Sequence, residues 1–146
     1  MKATDQVTVT FASRSANEGF ARSCAACYAA QLDPNLDELA DIKTAVSEAV
    51  TNAIVHAYPD TLGKITMRLR LLEGNELEIQ IKDTGVGIPD VEQARQPMYT
   101  TGGTERSGMG FTIMESFMDR LTVRSGEGKG TRVTMRRRIM PRPDRR

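Results

Sequence analysis

An α/β (α+β) two-layer sandwich, a mixed and mainly antiparallel sheet with helices on one face, is predicted by three features of this chain. Five segments alternate apolar and polar residues, the period of half-buried strands. Three others repeat apolar residues at i, i+3 and i+4, as helices packed on one side do. A length of 146 residues supplies one domain with a real core and is too short for two of ordinary size.

Val7, Val9 and Phe11 mark the first strand. Residues 15–31 follow as an Ala-rich helix, which Asp33-Pro34-Asn35 breaks. A second helix is expected from Leu36 to His56, with Ile42, Val46, Ala49, Ala53, Val50 and Ile54 at the spacing of a buried stripe. Ile65, Met67, Leu69 and Leu71 share one strand face, and Leu77, Ile79 and Ile81 another, with Gly74-Asn75 as the hairpin turn between them. From Asp83 to Ser107 the pattern gives way to Gly, Pro, Thr and charge, and a loop of that length in a compact domain is usually functional. Phe111, Met114, Phe117 and Met118 form a short helix, and Leu121/Val123 and Val133/Met135 two last strands around GEGKG.

The formal net charge of +1 gives no general attraction to nucleic acid. The end, RRRIMPRPDRR, holds six arginines and one aspartate, so the remainder is net negative. Residues 1–136 are expected to form the single domain and 137–146 a basic, disordered tail. No aromatic stacking set accompanies the tail arginines, so no direct nucleic-acid partner is expected. No stretch reaches the roughly 18 apolar residues of a membrane span, and the start, MKATDQVTV, lacks the apolar core of a signal peptide. No membrane partner and a cytoplasmic location follow as expectations. Cys24 and Cys27 have no second cysteine pair, and His56 is the only histidine, so they read as free thiols rather than a zinc site.

Three polar clusters stand out. Glu48 and Asn52 lie one turn apart at the rim of the long helix's apolar stripe. An amide oxygen there suits magnesium, which needs few protein ligands beside phosphates and waters, and a carboxylate one turn earlier can accept a proton. The second cluster, DTGVGIP at 83–89, puts an aspartate at a strand end, followed by Gly85 and Gly87. It suits either a tight turn or a flat ring bearing an exocyclic amine. In the third, Ser107-Gly108-Met109-Gly110 opens the short helix beside Arg106, so bare N–H groups face outward as phosphate sites require. A Rossmann fingerprint is excluded because Asp90 holds the third-glycine position, and a Walker loop because no GKS or GKT occurs.

Taken in order, these clusters resemble the GHKL ATPase superfamily. Glu48-x-x-x-Asn52-Ala resembles its N box, Asp83-x-Gly85-x-Gly87 its first G box, Gly108-x-Gly110 its second, and Thr131 the threonine that supports the adenine-binding aspartate. FARS, DIKTAVSEAVTNAIVHAY, GVGIPDVEQARQPMYTT and ERSGMGFTIMESFMD are further similar to the anti-sigma F factors of endospore-forming bacteria, from about Val7 to Arg136.

That resemblance implies a serine protein kinase that also holds a sigma factor of the sigma F type, and whose substrate is an anti-anti-sigma protein. Its cofactors would be ATP/ADP and Mg2+, and its expected state a homodimer. By position, Glu48 would be the general base, Asn52 the magnesium ligand and Asp83 the adenine contact, with Gly85, Gly87 and Thr131 completing that pocket. Thr100, Thr101, Arg106, Ser107, Gly108, Met109 and Gly110 would form a lid over the phosphates. Glu18, Arg22 and Thr51 resemble partner-binding positions. Gly102-Gly103-Thr104 stands where relatives often carry a lysine and a longer insert, leaving Arg106 the only basic lid residue. A general-stress (sigma B) type of anti-sigma kinase, or a sequestering module without turnover, remains an alternative.

Overall fold

The computed structural model describes residues 2–58, 61–85, 110–126 and 130–140. Strand β1 (Ala3–Ala12) leads into helices α1 (Ala16–Ala29) and α2 (Leu36–Asn52). The hairpin β2 (Lys64–Leu72) and β3 (Glu76–Asp83) follows, then helix α3 (Gly110–Phe117) and strands β4 (Arg120–Gly126) and β5 (Gly130–Arg138).

The strands lie in the order β1-β2-β3-β5-β4, and all four pairings are antiparallel. A mixed sheet was expected; among the described residues it is antiparallel throughout. One crossover helix reverses the chain twice and returns a parallel neighbour, whereas two consecutive helices reverse it three times and bring β2 back antiparallel to β1.

Register puts odd-numbered residues of every strand in line: Val7 opposite Leu69, Leu69 opposite Ile79, Ile79 opposite Met135, and Met135 opposite Leu121. Leu69, Ile79 and Met135 of this row meet Ile42, Ala45, Val46, Ala49 and Val50 of α2 and Met114 of α3 in one core, those helix residues at 0–1% exposure. Leu121 packs against it half-buried, and Val7 on the outer strand is exposed. The strand alternation and the stripe of α2 are therefore two halves of one buried layer.

Three local devices hold the elements. Gly74 (φ 85°) and Asn75 (φ 62°) make the β2–β3 turn in the left-handed region that these two residues tolerate best. Asn35 caps α2: its Oδ1 accepts the Glu38 N–H at 2.7 Å, and Glu38 Oε1 accepts the Asn35 N–H at 2.9 Å. On the even-numbered sheet face, Glu78 is buried and paired with Arg70 at 2.7 Å, Arg136 at 2.9 Å and Arg68 at 3.4 Å. Burial pushes its carboxyl up, but the hydrogen bonds from Arg70 and Arg136 outweigh this and hold it below the usual range.

Two boundaries differ from the sequence reading. The second helix does not continue as α-helix to His56; after Asn52 it widens into a π turn over Ala53–Ala57. The basic tail also starts later than residue 137. β5 continues through Arg138, Arg137 pairs with Asp41 of α2 at 2.9 Å, and Ile139 is fully buried. Ile139 exchanges bonds with Asn75, and the Met140 N–H donates to Glu38 Oε2 at 3.0 Å, so the chain end is sewn to the hairpin turn and to the α2 cap. Residues 141–146 lie outside the described residues. No helix among the described residues is long and apolar enough to cross a membrane.

Candidate functional site

Four segments distant in sequence converge at one end of the sheet. The end of α2 supplies Glu48 and Asn52, both half-buried, one turn apart beside the stripe that anchors the helix. The start of α3 lies directly against Asn52: a Cβ on Gly110 would fall 2.8 Å from Asn52 Nδ2 and 3.1 Å from Oδ1. The first distance is shorter than real Cβ contacts, so a side chain at Gly110 would push the Asn52 amide aside, and glycine lets the helix start reach it undisturbed. The N box and the last residue of the second glycine cluster are thereby brought together.

Asp83, at the end of β3, is 5% exposed. Its Oδ1 accepts the Gly85 N–H at 3.0 Å and the Thr131 N–H at 3.2 Å, and Oδ2 accepts no hydrogen bond from the described residues. Burial raises the Asp83 pKa above the ordinary carboxylate value, and the two N–H bonds offset part of that. Gly85 is packed on the π turn: a Cβ there would sit 2.2 Å from the Ala57 carbonyl oxygen. Gly130, with φ 83°, closes on the other side, where a Cβ would lie 2.3 Å from the Asp83 carbonyl. Segment 83–85 is held between them.

Thr131 meets Asp83 through its backbone N–H, while its hydroxyl lies 2.7 Å from that of Ser125. On α1, Glu18 and Arg22 form an i,i+4 pair at 3.2 Å, and Ser47 of α2 donates its hydroxyl to Glu18 Oε2 at 2.9 Å. Thr51, half-buried, lies one turn after Ser47, so these four residues share the α1–α2 surface next to Glu48. Ser47 was not singled out by sequence, although its place one turn before Thr51 was the available signal. Tyr58, also missed, bonds to Thr84 between Asp83 and Gly85.

Gly87, Thr100, Thr101, Arg106, Ser107, Gly108 and Met109, with the Gly102-Gly103-Thr104 departure, lie outside the described residues. Cys24 and Cys27 are free thiols, and burial pushes the Cys24 thiol up. No group of three or more His, Cys, Asp or Glu among the described residues suits a metal ion. A magnesium held by one amide oxygen and phosphates needs no such group, and the bare Gly110 backbone at Asn52 leaves that amide uncrowded by a side chain.

A family described as "Histidine kinase-like ATPase domain" matches residues 11–137. The chain is 53% identical over 140 residues to the anti-sigma F factor of Caldanaerobacter subterraneus subsp. tengcongensis, covering 95% of this chain and 97% of the relative. It is 51% identical, with the same coverages, to the anti-sigma F factor of Thermoanaerobacter sp. (strain X514). Among solved structures, the RsbU and RsbW domains of a Mycobacterium tuberculosis protein share the fold at a TM-score of 0.67 and 19% identity, over 93% of this chain and 32% of that one.

Proposed function

The chain belongs to the anti-sigma F factor family, built on a histidine kinase-like ATPase domain, and from that premise we propose a serine protein kinase that also sequesters a sigma factor. The sigma factor is of the sigma F type, and the substrate is a serine of an anti-anti-sigma protein. The observation that carries the nucleotide part is Asp83: one carboxylate oxygen takes two backbone N–H groups, and the other accepts nothing from the described residues. An acceptor in a buried setting suits the exocyclic amine of adenine, with Gly85 and Thr131 fixing its orientation.

Asn52 would hold the magnesium of Mg-ATP, and the ion when bound supplies charge neutralisation at the phosphate oxygens. Glu48, one turn away on a rigid helix, would take the proton from the serine hydroxyl as its oxygen attacks the γ-phosphorus and the bond to ADP breaks. Thr100, Thr101, Arg106, Ser107, Gly108 and Met109, leading into Gly110, would cover the phosphates, and Gly87 would line the ring. Glu18, Arg22 and Thr51 would receive the protein partners. The reading includes a homodimer, for which the sheet offers two outer strands, β1 and β4.

The test is incubation with γ-labelled ATP, magnesium and an anti-anti-sigma protein. Acid-stable phosphoserine on that protein is expected. Acid-labile label on the chain itself would indicate histidine autophosphorylation, and nucleotide binding without transfer would leave sequestration alone; either contradicts the kinase reading.

A further inference from the structure

Tyr58 follows the π turn, six residues after Asn52, and belongs to none of the three polar clusters. Its hydroxyl donates to the Lys64 carbonyl at 2.8 Å and accepts the Thr84 N–H at 2.9 Å. The Thr84 hydroxyl lies 3.2 Å away and completes the set. A phenol has one proton and two lone pairs, so these partners saturate it.

The ring is seated on Gly63, where a Cβ would fall 2.1 Å from Tyr58 Cε1. Gly63 is itself fixed by a reciprocal pair: its N–H donates to Ser13 Oγ at 2.8 Å, and its carbonyl accepts the Ser13 N–H at 2.9 Å. Ser13 is buried at the junction of β1 and α1. A continuous line of contacts thus runs from the core edge through Gly63 and Tyr58 to Thr84. Gly130 presses from another direction, since its Cβ would meet Thr84 Cα at 2.8 Å.

We propose that Tyr58 is a positioning residue for base selection. It pins the end of β3 through Thr84, so that Oδ2 of Asp83, which accepts nothing from the described residues, stays where an exocyclic amine must be. Its bonds go to Lys64 and Thr84 and not to Asp83 itself, so its loss blurs the placement of the acceptor without removing it. This role rests on the ATP-site reading above.

Competition binding of ATP and inosine triphosphate tests it, because the second has a carbonyl oxygen where adenine has the amine. Tyr58→Phe keeps the ring on Gly63 and removes only the hydroxyl. It is expected to reduce the preference for ATP over inosine triphosphate by about three- to tenfold, the usual weight of one or two hydrogen bonds. Thr84→Ala retains the backbone N–H and is expected to keep most of that preference. A purely structural role would weaken both nucleotides alike and leave the ratio unchanged, which would overturn the proposal. An unaltered chain with no preference for ATP would instead overturn the ATP-site reading itself, and the Tyr58 role with it.

Discussion

At Asp83 the demands of folding and of the proposed nucleotide binding oppose each other. Burying an ionised carboxyl is unfavourable, and here two N–H groups compensate only in part, so its pKa stays raised. Asparagine would accept the same two bonds through its amide oxygen without a buried charge. Asp83→Asn is therefore expected to leave the thermal midpoint of the nucleotide-free protein unchanged or higher, while abolishing the shift that ATP gives the unaltered chain. Thermal denaturation with and without ATP checks both halves. A fall of several degrees without nucleotide would contradict the account. The place of Asp83 at the end of a strand was readable from sequence, because Asp-x-Gly-x-Gly breaks the alternation there. That Thr131 acts through its N–H was not readable, since a threonine's side chain and backbone cannot be told apart by position. Nor was Tyr58, whose two shortest bonds go to the Lys64 carbonyl and the Thr84 N–H, backbone groups that nearly any residue would carry.

Element boundaries failed where the stabilising partners are remote in sequence. Arg137 and Arg138, directly after Arg136, read as the start of a solvated tail. In the fold, Arg136 reaches Glu78, 58 residues earlier, and Arg137 reaches Asp41, 96 residues earlier. Local composition carries no trace of such neutralisation. Ile139 then enters the core and closes against Asn75. Ending the chain at Arg136 is expected to lower stability by at least about 2 kcal/mol, from the buried isoleucine alone, with a midpoint several degrees lower. Ending it at Met140 keeps these contacts. Denaturant titration of the two truncated chains decides it, and equal stability would contradict the boundary. The π turn was equally hidden, because Ala53–Ala57 continues the apolar pattern, while the Gly85 backbone that packs on Ala57 lies far along the chain.

On the scale of the whole molecule, the site exists only once the sheet and helices have assembled. Asn52, Asp83, Gly110 and Thr131 sit on four different elements. Their order and spacing were visible in the chain; their convergence depends on strand register and on glycines that allow backbone approach at Asn52 and Ala57. The same packing gives Glu48 a rigid base, since Val46, Ala49 and Val50 lock α2 onto the core on either side of it. Rigid placement is what base catalysis needs from a fold. Glu48→Gln preserves shape and removes only proton acceptance, so it tests the central claim most directly. Measured side by side, ATP affinity should be retained and serine phosphorylation of the anti-anti-sigma partner should slow by about 10²–10⁴-fold. Transfer at the unaltered rate would contradict the assignment of Glu48 as the base.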